Sequence, residues 1–103
     1  MVKHLTKPLK SGRPKGSARF DPESAEAFGE VVRVWRVKKG ISQEALAGLA
    51  SIDRSFMGRI ERGETTPTLT LMLKLARALG VSATTLIRDA ERILGEEEES
   101  EGS

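Results

Sequence analysis

Apolar residues along this chain recur mainly at intervals of three and four, the spacing of one face of an α-helix, and no segment carries the signals of a strand. Five helices follow from this pattern and its punctuation. Asp21 caps the first, with Pro22 at the favoured opening position; Phe28, Val32 and Trp35 share a face and Gly40 ends the helix. Ser42 caps the second, in which Ala45, Leu46, Leu49 and Ala50 follow at helical spacing. Asp53 caps the third, which carries Met57 and Ile60 inward before Gly63 closes it. Thr68 caps the fourth, with Leu69, Met72, Leu75, Ala76 and Leu79 inward and Gly80 as the stop. Ser82 caps the fifth, which runs through Leu86, Ala90 and Ile93 to Gly95. The expected class is all-α.

The second and third helices are the informative pair. Only Ser51 and Ile52 separate the second helix from the cap of the third, so the third must leave at a steep angle, which is helix-turn-helix geometry. In such a unit the second helix of the pair lies in the major groove with its N-terminal residues near base edges. With Met57 and Ile60 facing the core, Arg54, Ser55, Gly58, Arg59 and Arg62 are left to face DNA.

The segments GISQEALAGLA, IDRSFMGRIERGE and PTLTLMLKLARALGVSATTLI resemble the Xre/Cro family of phage-repressor-like helix-turn-helix regulators, over roughly Phe28 to Ile87. The resemblance implies a five-helix phage-repressor-like domain that binds double-stranded DNA and regulates transcription in a bacterial or phage cytoplasm, associated with the nucleoid when bound. It implies a phosphate-binding role for Gln43 and a structural ion pair between Arg36 and Glu61. One departure stands out: where relatives often carry basic residues after the recognition helix, this chain has Glu64, Thr65 and Thr66.

Composition sharpens this picture. A chain of 103 residues has room for one domain, and a core of about 60 residues buries only about 60% of its unfolded surface, so a homodimer interface would help it fold. The net charge of +2 conceals an asymmetry: residues 1–20 hold six cations and no acid, residues 96–101 hold five glutamates, and the middle is nearly balanced. Residues 1–20 are therefore expected to be a disordered basic arm, residues 21–95 the DNA-binding domain, and residues 96–103 a disordered acidic tail. There is no cysteine, no signal-peptide pattern and no membrane-length apolar run. An enzyme is disfavoured, since Cys and Tyr are absent and the only histidine, His4, lies in the arm. No cluster has metal-ligand spacing, and no cofactor or metal is expected.

Arg54 and Arg59 are the expected sequence readers, because a guanidinium donates two parallel hydrogen bonds to guanine O6 and N7, worth about 1 to 3 kcal/mol of discrimination. Ser55 could reach a base or a phosphate. Gly58 faces the groove on this reading, either to let the helix approach the bases or as a tolerated surface change. Gln43, Ser42, Lys38, Lys39 and Arg62 are the expected contacts to the DNA backbone. Trp35 is read as core rather than as a base-stacking platform.

In the arm, Gly12, Arg13, Pro14 and Lys15 resemble an AT-hook, an extended segment that enters narrow A/T-rich minor grooves. The alternative is a basic tail with sequence-independent attraction for DNA. The acidic tail is either a solvating end or a competitor for the arm's cations. Leu71 and Leu73 lie off the expected inner face of the fourth helix, and Ile93 and Leu94 extend past the family core; both are candidates for a dimer surface. The competing function is an antitoxin-type protein that binds a partner and autoregulates through the same helices.

Overall fold

The computed structural model describes residues 21–102. The arm and its Gly12, Arg13, Pro14 and Lys15 lie outside the described residues, as does Ser103. Among the described residues there are five helices and no strand: α1 (Pro22–Lys38), α2 (Gln43–Leu49), α3 (Arg54–Glu61), α4 (Leu69–Leu79) and α5 (Ala83–Gly102). The caps read from the sequence are at work at four starts. Asp21 accepts from the amide of Ser24, Ser42 Oγ from that of Ala45 at 2.9 Å, and Thr68 Oγ1 from that of Leu71 at 3.1 Å. Ser82 does the same for Thr85 at the head of α5.

α1 lies against both α3 and α5, while α2 packs on α3 and α4. Val32, Leu46, Met57, Ile60, Leu75 and Leu86 meet at the centre and are fully buried, one or two from each helix. Trp35 is half-buried against this core, as expected, and its indole N–H donates to Asp89 of α5 at 2.9 Å. The α2–α3 turn passes through Ser51 at φ 58°, a left-handed conformation that a side chain tolerates poorly.

Three details differ from the sequence reading. On α4 the inward row is Leu71, Leu75 and Leu79, joined by Ala76; Leu71 is 7% exposed and Leu69 67%. The i, i+4 row beginning at Leu71 faces α2 and α5, and Leu69, in the first turn, is left outside with Leu73. On α2, Ala47 is buried with Leu46, and Leu49 is exposed. α5 runs through the glutamate segment to Gly102, past the stop expected at Gly95. Glutamate is a good helix former, and a single glycine costs a helix only about 1 kcal/mol.

Ile93 and Leu94 pack partly against the core, so packing within the monomer accounts for much of their apolar surface. Among the described residues no single helix is long and apolar enough to cross a membrane.

Candidate nucleic-acid interface

The position of α3 is fixed from behind by two contacts. Gly29 of α1 sits directly under the end of α3: a Cβ there would stand 2.2 Å from the carbonyl oxygen of Ile60 and 2.8 Å from that of Glu61. Arg36, two turns further along α1, grips the same end. Its Nε donates to Glu61 Oε2 at 2.7 Å and its Nη2 to Oε1 at 3.0 Å, and its Nη1 donates to the carbonyl of Ile41 at 3.0 Å. Hydrogen bonding to Glu61 raises the Arg36 pKa above its ordinary value, with the carboxylate's charge adding to it against the effect of burial. This is the ion pair that the resemblance implied, and it is tied to α2 as well: Gln43 Nε2 donates to the same Glu61 Oε1 at 3.0 Å. Three helices thus converge on one carboxylate.

α3 ends in a closed turn. The amide of Gly63 donates to the carbonyl of Ile60 and that of Glu64 to the carbonyl of Arg59, at 3.0 and 2.9 Å. Gly63 holds φ 73°, and a Cβ on it would come within 2.7 Å of the Cα of Glu26. Both requirements admit only glycine.

The outward face of α3 presents Arg54, Ser55 and Arg59 to solvent. The Arg59 guanidinium lies 5.8 Å from the centre of the Phe56 ring, which is half-buried and restrains it. Ser55 is committed on one side, since its hydroxyl donates to Asp53 Oδ2. Its oxygen remains free to accept. Asp53 heads α3 without a capping bond of good geometry, yet its pKa lies below the usual carboxylate value, chiefly through the Ser55 hydroxyl and then the Phe56 amide. Ser42 and Gln43 stand together at the start of α2.

Three expected contact residues are placed differently. Gly58 is buried, its open side covered by the Arg62 guanidinium and bordered by Gln43. One turn of helix sets Gly58 beside Arg62, which explains the cover. Lys38 and Lys39 stand over the Trp35 ring at 4.6 and 5.9 Å from its centre, on the side of α1 that faces α5. They are not gathered with Gln43 and α3, because α1 is ending there and Trp35 offers the nearest apolar, electron-rich surface.

Sequence reasoning missed Gly29, the Gln43–Glu61 bond and the bidentate hold of Glu64 on Arg62, at 2.8 and 3.2 Å. That hold raises the Arg62 pKa and lowers that of Glu64. Gly29 did leave a signal: a glycine in the middle of a good helix usually marks a close approach.

A short helix pair with an exposed, arginine-bearing second helix defines a helix-turn-helix DNA-binding domain. The helix-turn-helix family model matches residues 32–86, and this chain belongs to that family, in its Xre, or Cro/C1-type, branch. Among relatives, the control protein C.SmaI of Serratia marcescens is 37% identical over 62 residues, 60% of this chain and 74% of that protein. A prophage-derived HTH-type transcriptional regulator of Bacillus subtilis, YonR, is 35% identical over 77 residues, 69% of this chain and 71% of its own. Among solved structures, the restriction-modification controller protein C.AhdI of Aeromonas hydrophila superposes with a TM-score of 0.59 at 44% identity, covering 60% of this chain and 94% of that one. The clp gene regulator ClgR of Corynebacterium glutamicum, at 24% identity and a TM-score of 0.73 over 77% of this chain and 84% of its own, shares the fold. The chain is a DNA-binding transcriptional regulator, a class without enzymatic activity. The relatives named here are regulators and controller proteins, and the antitoxin reading finds no support in them.

Proposed function

We propose that this regulator reads operator DNA as a homodimer, with Arg54 and Arg59 of α3 on guanine edges and Ser42 and Gln43 on the phosphates of the same half-site. The observation that carries this reading is the contrast between the two sides of α3. Its inner side is locked by Gly29 and the Arg36–Glu61 pair, and its outer side leaves Arg54, Ser55 and Arg59 uncovered. Rigid support behind a polar, exposed helix is what base reading requires. Ser55, with its hydroxyl donating to Asp53, is left as an acceptor suited to the amino group of adenine or cytosine.

Two recognition helices related by a twofold axis would meet half-sites about one DNA turn apart, hence a near-palindromic operator. Leu69 and Leu73 of α4 and Ile87 of α5 are among the exposed apolar side chains available to such an interface, with Leu49 of α2 and Val34 and Val37 of α1 exposed as well. The protein acts in the cytoplasm, with the nucleoid as its place of work. The arm adds attraction for DNA flanking the operator, through Arg13 and its neighbouring cations.

The test is a selection of duplex DNA from a random library. A near-palindrome containing guanine in each half is expected from the wild type. Arg59→Ala should relax the preference at particular steps by about 1 to 3 kcal/mol, while Gln43→Ala weakens all sites about equally. Equal losses on every sequence for both variants would remove base reading from Arg59.

A second prediction concerns salt. The logarithm of affinity falls with the logarithm of salt by about 0.9 per phosphate neutralised. Removing residues 1–20, with their six cations, should flatten that slope by several units. An unchanged slope would show that the arm does not touch DNA.

A further inference from the structure

Arg62, at the C-cap of α3, has one edge of its guanidinium already taken. Nε donates to Glu64 Oε2 and Nη2 to Glu64 Oε1. A guanidinium has a second edge, Nη1 with Nη2, that can fork onto a pair of acceptors in the same way. Nη1 lies 3.0 Å from where a Cβ on Gly58 would stand, and Gln43 Oε1 lies 3.6 Å from that same point. A methyl group on Gly58 would press directly on the Arg62 guanidinium. Glu64 therefore sets which edge of Arg62 is presented, and Gly58 sets how deeply it sits.

We propose that Arg62 is a third guanine-reading residue, aimed by Glu64 and seated in the notch at Gly58, rather than a contact to the DNA backbone. The inference rests on DNA reading by α3. Its physical basis is the sign of the neighbouring charge. A phosphate contact gains nothing from a carboxylate beside it, since the acid repels the backbone and cancels the cation's attraction. A base edge is neutral overall and tolerates the acid. What a base contact needs is a guanidinium held in one plane with one free edge, and the bidentate grip of Glu64 supplies both. The free edge matches the O6 and N7 acceptors of guanine.

The experiment repeats the library selection with full-length wild type, Glu64→Gln, Arg62→Lys and Gly58→Ala, and then measures affinities for operators varied one step at a time. Thermal melting of each variant accompanies the binding data, since these substitutions are expected to leave the fold intact. The expected result is loss of one guanine preference per half-site, about five- to tenfold, in Glu64→Gln and Arg62→Lys, with the steps read by Arg54 and Arg59 unaltered. Gly58→Ala, which displaces Nη1, should weaken the same step. Arg62→Lys keeps the charge, so a mere phosphate contact would survive it. The proposal is overturned if Arg62→Lys keeps every base preference, or if Glu64→Gln tightens binding to all sequences by a common factor. A wild type that enriches no site overturns both this inference and the operator reading, whereas an enriched site with no step altered in any variant overturns this inference alone.

Discussion

The Gly29→Ala protein is expected to lose about 3 kcal/mol of stability, near the upper end of what overpacking usually costs, although alanine is the better helix former by about 1 kcal/mol. The reason is what the added methyl would strike. The Ile60 and Glu61 carbonyl oxygens and the Glu61 carbonyl carbon, at 2.2, 2.8 and 3.0 Å, are all main-chain atoms. A flexible side chain could swing aside; the last turn of α3 cannot move without dragging Met57 and Ile60 out of the core. For a domain this small such a loss is a large share of the total. Denaturant unfolding followed by Trp35 fluorescence should show the midpoint drop sharply. Gly48→Ala is the control, because beyond the backbone of its own helix nothing stands within 4 Å of a Cβ there, and its midpoint should hold or rise. A Gly29→Ala midpoint equal to wild type would mean that α1 and α3 do not approach as closely as described. DNA affinity should fall together with the midpoint, because the clash moves the end of α3, and should be retained if the midpoint holds.

The same residue shows where the sequence was legible and where it was not. Caps and stops are local: Asp21, Ser42, Thr68 and Gly63 act within four residues of themselves, so their roles could be read from the chain. The period of three and four located Met57 and Ile60 inside, and by subtraction Arg54, Ser55 and Arg59 outside. Gly29 meets residues more than thirty positions away, and no local rule says which helix will press on it. On α4 the pattern was ambiguous because Leu69, Leu71, Leu73, Leu75 and Leu79 offer two overlapping apolar rows, and only packing against α2 and α5 selects the one through Leu71. Lys38 and Lys39 were assigned by charge alone, and charge does not reveal that Trp35 lies beside them. The Arg36–Glu61 pair was legible only through resemblance, since 25 residues of chain separate its members.

Glu61→Ala is expected to destabilise the domain by about 3 kcal/mol, at the lower end of the range for breaking a buried pair. The Glu61 side chain is 3% exposed and that of Arg36 15%. Removing the carboxylate strands a guanidinium that keeps only the Ile41 carbonyl and a little solvent, which is why the cost falls short of that for a fully enclosed charge. Arg36→Met should cost somewhat less, because Glu61 then still accepts from Gln43. The informative protein is the double variant Arg36→Met with Glu61→Leu. It leaves no charge uncompensated, so its loss of stability should be smaller than the sum of the losses of Arg36→Met and Glu61→Leu made singly by about 2 kcal/mol, the size of coupling found for residues in contact. Its DNA affinity should nevertheless stay reduced, because Gln43 has lost the acceptor that holds its amide at the head of α2. Separate recoveries of fold and of binding would show that one carboxylate does two jobs: it neutralises Arg36 within the scaffold, and it positions Gln43 for the operator. A thermodynamic cycle with coupling near zero would instead make the pair a surface feature, and the rigidity of α3 would then rest on Gly29 and the core alone.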